Sequence, residues 1–508
     1  MAAPGSPAIR VPAWIYLAAI LGLAGFVRVW RIDAFGFNSD EVVYAGQAAA
    51  IADRAEYERF FPIFRAHPLL FQAVLSLGYR LGIEGLFERL LSAALGVATV
   101  YVVYELGKVL YGRRTGLVAA MLMAVMPYHV VVTRQVLLDG PMVMFATLTL
   151  WMTARFARTE RPQWLYAAAA MMGLTFLSKE TSILLLGSLY AFFALSPTVS
   201  VRIRHLAMSL VVMALVMAPF PLSVMLGGQA RTGENYLAWQ LFRRPNHDWA
   251  FYPLTVPGSI GPLVLVAALA GLVLLRRERS WRETLLLSWI LVPATFFQLW
   301  PIKGFQYLLP IAPAVALLAA RVLTRWHPGW LEARLPRWLQ RAPLRSLSVA
   351  AVVATLLVPT WSAIGPSSTA GFLAGTGGTP GGREAGSWIS ANIPEGSRIL
   401  TLGPSMANIV QFYGFRKAYG LSVSPNPLHR NPSYEPLPNP DQLIRSSDLQ
   451  YIIWDAFSAG RSPFFSQRIL RYAERYHGRV LHTESVKATT KDGRRVLKPV
   501  IVVYEVRP

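Results

Sequence analysis

A few short segments of this 508-residue chain carry charged or imidazole side chains in otherwise apolar surroundings. FNSDEVVYAG holds Asp40 and Glu41, FRAHPLL holds Arg65 and His67, and VVVTRQVLLDGP holds Arg134 and Asp139. GLTFLSKETSILLL contributes Lys179 and Glu180, LFRRPNHDW contributes Arg243 and Arg244, and PIKGFQYLLP contributes Lys303. The set is of mixed sign. A carboxylate can take the proton of an attacking hydroxyl, and a cation can stabilise a phosphate whose charge grows as it leaves. These residue types therefore suit transfer of a group from a phosphate to a hydroxyl.

Each also has an ordinary structural role open to it. Asn38 can cap a helix with Glu41 three residues on as its capping box, and acids in a first turn suit the helix dipole whatever the function. Neighbours on a helix diverge by about 100°, so Asp40 and Glu41 cannot both face one reacting atom, and the capping box leaves Asp40 the freer carboxylate. Arg134 and Asp139 can flank the end of one helix and the start of the next. Lys179 and Glu180 break a long apolar stretch, which costs more than a loop charge and weighs towards function. The pair Arg243 and Arg244 fits a phosphate clamp or an anchor for lipid headgroups equally well. His67 has no second histidine at metal-ligand spacing, and the chain has no cysteine, so neither a metal site nor a cofactor is expected.

The elements that position these groups are apolar. Hydrophobic residues make up 54% of the chain and charged residues 15%, too much apolar surface for a water-soluble globule. Apolar runs of about 17 to 22 residues recur from Val11 to Ile364, enough for about eleven membrane-spanning helices. The first run is too long for a signal-peptide core and lacks a cleavage site, so it reads as a retained helix. Pro68 to Gly82 is short for a span and contains Arg80, so it reads as juxtamembrane. With that assignment the arginines of the loops at Arg113, Arg155, Arg202, Arg276 and Arg337 share one side, which the positive-inside rule makes cytoplasmic. The net charge of +22 is thus explained by loops between spans, without nucleic acid as a partner.

The expected architecture is a polytopic α-helical membrane domain over 1–365 with an external first loop at 31–88. A Gly/Pro-rich linker at 366–383 and a soluble, exported α/β domain at 384–508 follow. In that domain SRILTLG, QYIIWDA and VIVVYEV read as buried strands, and Ser405 to Tyr413 and Pro463 to Tyr476 as helices.

The acidic pair at Asp40 and Glu41, His-Pro-Leu-Leu at His67 to Leu70, RQVLLD at Arg134 to Asp139, GLTFLSKE at Gly173 to Glu180 and KGFQYLLPIAP at Lys303 to Pro313 occur in this order. Over about the first 365 residues the pattern resembles the GT-C glycosyltransferases. The similar branch holds protein O-mannosyltransferases and the enzymes that put aminoarabinose on lipid A. The resemblance implies a polyprenyl-phosphate-linked sugar as donor, a protein, lipid or glycan acceptor, and a site on the external face among membrane lipids. It also implies that Asp40 serves as base or holds the acceptor, and that Arg134, Lys179 or Lys303 holds the carrier phosphate. The chain departs from the family at Leu69, where a second proline is usual, and at Gln306, where a basic residue often precedes the tyrosine. Lys303 could replace that basic residue if its segment is helical. A lipid-carrier flippase or a solute transporter is the alternative.

The expected topology has a direct test. The chain lacks cysteine, so a cysteine placed at Gly112 should resist an impermeant thiol reagent in intact cells and react after permeabilisation; labelling of intact cells would invert the topology.

Overall fold

Apolar sequence of helical length dictates most of the chain, and proline decides where it bends. The computed structural model describes residues 12–63, 67–226, 239, 242, 245–325, 344–365, 379–489 and 494–508. Helices begin with α1 (Ala13–Val29) and α2 (Ser39–Ile51). Among the described residues three helices, Phe87–Leu110, Phe305–Arg325 and Arg345–Ile364, are long and apolar enough to cross a membrane, and six spans result if each of three bent pairs is one. Arg113–Val125 and Pro127–Thr133 meet at 59°, and Phe251–Ile260 and Pro262–Leu274 at 93°. At the first bend Met126 takes an extended conformation before Pro127; at the second Gly261 has φ 102° before Pro262. A proline lacks the amide hydrogen a helix interior needs and pushes its predecessor out of helical geometry, while starting a new helix at no cost.

The expected juxtamembrane segment is the 12-residue helix Leu70–Leu81, ended by Gly82 in the left-handed conformation. At 1.5 Å per residue it reaches about 18 Å, short of the roughly 30 Å hydrocarbon core. Its Phe71, Leu75 and Tyr79 pack with Val42, Ala45 and Ala49 of α2. Phe61 closes on the same helix, where a Cβ on Gly46 would lie 2.4 Å from its ring.

After residue 379 the chain forms a five-stranded sheet in the order β2-β1-β3-β5-β4, with β1 at Arg398–Thr401, β2 at Lys417–Gly420, β3 at Tyr451–Asp455, β4 at Arg479–Thr489 and β5 at Arg495–Glu505. β1 runs parallel to β2 and β3, and β5 antiparallel to β3 and β4. Strand alternation sends Ile399, Ile453, Ile501 and Val503 to one face and Leu400 and Ile452 to the other. Helices Gly382–Asn392 and Pro404–Gly414 cover the first face, and Pro463–Arg475 covers the second. The three expected strands and both expected helices are present, but the domain does not stand apart. The first face shares one core with Phe37, Val42 and Phe61 of the first loop. Tyr57 meets Phe412 at 5.1 Å between ring centres, and Arg383 donates to Asp33 at 2.8 Å.

One buried ion pair joins the loop to the bundle. Arg89 donates through Nε to Glu41 Oε1 at 2.8 Å and through an Nη to Oε2 at 2.7 Å, and both side chains are fully buried. The same guanidinium donates to the carbonyls of Ile32, Phe35 and Gly36. Glu41 in turn accepts from the amides of Asn38 and Val136. Glu41→Gln keeps the shape but strands the arginine, so it should cost about 3–5 kcal/mol of stability. Thermal unfolding of the purified protein should show a clear fall in midpoint; an unchanged midpoint would deny the pair this role.

Candidate active site

Asp40 sits in the first turn of α2, and the capping box decides its direction. Asn38 Oδ1 accepts from the amides of Asp40 at 2.9 Å and Glu41 at 3.0 Å, while Asn38 Nδ2 donates to Gln135 Oε1 at 2.9 Å. With Glu41 turned inward to Arg89, Asp40 is left on the wall of a cavity of about 570 Å³. The cavity lies between α2 and Arg59–Ile63 on one side and helix Pro404–Gly414 and β2 on the other, with His67 also on its wall. The Asp40 side chain touches the cavity's solvent, yet protein surrounds the cavity. That burial raises its pKa above the ordinary carboxylate value; Lys179 and Arg461 oppose the shift, and Asp139 and Glu41 add to it.

Four further expected residues form two pairs. Lys179 donates from Nζ to both oxygens of Asp139, at 2.8 and 2.9 Å, and lies 4.9 Å from the centre of the Tyr307 ring. The two pair members come from helix ends: Asp139 opens Asp139–Thr159, and Lys179 follows Pro162–Ser178 at an extended residue before the 3-10 turn Glu180–Leu184. Glu180 Oε2 lies 3.2 Å from His67 Nδ1. Sequence-distant groups thus converge: Asp40 senses the charges of Lys179 and Asp139, and His67 shares its cavity.

Other expected site residues are used differently. Glu41, expected beside Asp40 as catalytic, has both oxygens occupied by Arg89 and backbone amides and cannot reach the cavity. Arg134, expected to hold the carrier phosphate, is buried and donates to the carbonyls of Val27, Arg28 and Trp30, closing the end of α1. Those carbonyls lack helical partners, and a buried helix end needs donors from elsewhere. Lys303, the other expected phosphate ligand, donates to the carbonyls of Gln298 and Trp300 at the end of helix Trp281–Leu299. Its segment is not helical either: Lys303 precedes the 3-10 turn Phe305–Ile311, so it does not stand one helical turn before Gln306. Arg65, Arg243 and Arg244 lie outside the described residues.

Some participants were missed in the sequence. Arg461, from a short helix Ala456–Arg461 of the C-terminal domain, stacks 4.3 Å over Phe457 and acts electrostatically on Asp40. Burial lowers its pKa, and Asp40 opposes that. Asn408 of helix Pro404–Gly414 donates to Ser39 Oγ at 3.1 Å, next to Asp40. Nothing in the local sequence of either residue distinguishes it from a surface position; only the packing of the domain onto α2 brings them here. Among the described residues, no group of three His, Cys, Asp or Glu side chains could hold a metal ion.

Residues 66–223 match the family described as dolichyl-phosphate-mannose-protein mannosyltransferase. YkcB of Bacillus subtilis (strain 168), named as a candidate mannosyltransferase, is 28% identical over 41% of this chain. The match spans only 30% of that relative's length. ArnT from Cupriavidus metallidurans bound to undecaprenyl phosphate superposes with a TM-score of 0.66 at 17% identity, covering 96% of this chain and 97% of that one. The archaeal oligosaccharyltransferase AglB from Archaeoglobus fulgidus, in complex with an inhibitory peptide and a dolichol-phosphate, gives a TM-score of 0.55 at 14% identity over 96% of this chain and 74% of that one. At such identities the likeness is one of fold, and the fold is the GT-C membrane fold.

If Arg134 closes α1, Arg134→Met should lower the thermal midpoint while leaving the affinity for a polyprenyl-phosphate sugar unchanged. Weakened donor binding by a variant as stable as wild type would return Arg134 to the phosphate.

Proposed function

We propose that this chain, a GT-C membrane protein by fold, is a glycosyltransferase that moves a sugar from a polyprenyl-phosphate carrier to an acceptor hydroxyl on the non-cytoplasmic face of the membrane. One observation carries the proposal: the Asp40 carboxylate faces a large cavity within electrostatic reach of the buried Lys179–Asp139 pair. The match to mannosyltransferase sequence and the polyprenyl phosphates named with ArnT and AglB support the donor class. None of these proteins is described as a flippase or a solute transporter.

In the proposed step the acceptor oxygen bonds to the anomeric carbon as the bond from that carbon to the phosphate oxygen breaks. The acceptor proton passes to Asp40, and the polyprenyl phosphate leaves with the electron pair. Lys179 faces the leaving phosphate. Asp139 holds two of its ammonium protons, which fixes the cation in place and leaves the third for the phosphate. Glu180 pairs with His67, which lines the cavity. In the bilayer, about eleven spans, a cytoplasmic N-terminus and cytoplasmic arginine loops put the first loop and the C-terminal domain outside together. Their common core supports that arrangement, since elements packed in one core must share a side.

Transfer from mannosyl-phosphoryl-polyprenol by the protein in liposomes tests the proposal. Asp40→Asn should bind donor and lose about 10² to 10⁴-fold in turnover, and Lys179→Met about 10²-fold. The base must be deprotonated, so kcat/KM should fall as the pH drops through the raised pKa of Asp40, above the ordinary 3.8. Removing Lys179 removes a cation that lowers this pKa, so the acid limb should move to higher pH in Lys179→Met. Near-normal transfer by Asp40→Asn would overturn the assignment.

A further inference from the structure

We infer that the cavity between α2 and the C-terminal domain is the acceptor site, and that it receives an uncharged, hydroxyl-rich carbohydrate. This rests on the transferase reading above, because Asp40 on the cavity wall is where the accepting hydroxyl must arrive. At about 570 Å³ the cavity falls in the range of roughly 300–1,000 Å³ typical of small-molecule sites.

Its lining identifies the chemistry. Gln411 on helix Pro404–Gly414 is 8% exposed, and among the described residues its carboxamide has no hydrogen-bond partner. Gln47 on α2 is 6% exposed; its Oε1 accepts from Gln72, and no described group receives its amide hydrogens. The free amide atoms of both open on the same space, so a ligand that fills it can take up their hydrogen bonds in place of solvent. Each carboxamide offers an acceptor and two donors in one plane, which suits neighbouring ring hydroxyls that both donate and accept. Tyr419 and Phe60 add aromatic side chains to the wall, a chemistry suited to the C–H surfaces of a sugar ring.

The charges argue against an ionic acceptor. Lys417 is paired with Glu435 at 3.0 Å, and Arg59 donates to the carbonyl of Phe415 at 3.3 Å. The charges on the wall balance, Arg59 and Lys417 against Asp40 and Glu435, so an ionic acceptor meets no net attraction there. A peptide is also less well matched: β2, the edge strand of the sheet, borders the cavity for only four residues, a short stretch for strand addition, and the two carboxamides there are helix side chains.

The test uses the full chain in nanodiscs, with equilibrium dialysis of labelled neutral trisaccharides of glucose, mannose and galactose. Mannosyl-phosphoryl-polyprenol binding is measured on the same samples. At least one trisaccharide should bind saturably, and Gln411→Ala and Gln47→Leu should each weaken it about fivefold to tenfold, as loss of one or two hydrogen bonds would. Donor binding should be unchanged. Ser433→Trp, on an exposed loop at the cavity, should block the trisaccharide without touching the core, which guards against misfolding of the buried variants. Absence of saturable binding by all three sugars, affinity indifferent to these three substitutions, or displacement of the sugar by a Ser/Thr-rich peptide or an anionic lipid vesicle would overturn the assignment. Loss of donor binding by the wild-type protein would instead sink the transferase reading itself.

Discussion

The contact between Arg89 and Glu41 is the interaction on which the rest of the site depends. Two charges buried together cost several kcal/mol each in lost hydration, and such a pair persists only when every remaining valence is met. Here the valences are met: the guanidinium takes three loop carbonyls in addition to the carboxylate, and the carboxylate takes two amides besides the arginine. The result pins residues 32–41 to the start of helix Phe87–Leu110 and to the turn at Val136. Because Glu41 is held inward, its neighbour Asp40 must point about 100° away, into the cavity. A residue with no contact to the cavity thus sets the direction of the one that faces it.

The other buried cations fall into two groups, separated by what satisfies them. Arg28, Arg134 and Lys303 reach backbone carbonyls at or near helix ends. In an apolar bundle no water is at hand for those carbonyls, so a long basic side chain is the available donor. Lys179 is different: its partner is a carboxylate from another helix, and the pair lies within electrostatic reach of Asp40. Charge near a loop is therefore no guide to phosphate binding unless its partners are known.

The C-terminal domain is part of the site's architecture. Its helix Pro404–Gly414 presents Phe412 to Tyr57, Phe61 and Phe37 of the first loop, while Asn408 and Gln411 on the same helix face the cavity. Apolar packing therefore sets the distance between the two cavity walls, and the polar residues of the same helix line the space between. Arg461 reaches Asp40's surroundings by the same docking.

Much of this was legible in residue order. Run length and apolar character determined the helices, and the Asn38-to-Glu41 spacing determined the capping box and which carboxylate stays free, because both depend on neighbours within one turn. The short apolar runs in SRILTLG, QYIIWDA and VIVVYEV determined buried strands for a similar reason. β2 and β4 carry no such apolar run: β2 is four residues long, and β4 reads as mixed polar sequence with much of its surface exposed. Tertiary structure alone decided the fates of Arg134, Lys303 and Lys179, three cations alike in sequence, since each outcome depends on which carbonyl or carboxylate a distant helix brings within 3 Å or so. It also decided that the domain after residue 379 packs onto the first loop, because that interface joins segments more than 300 residues apart, and no local pattern encodes which apolar faces meet.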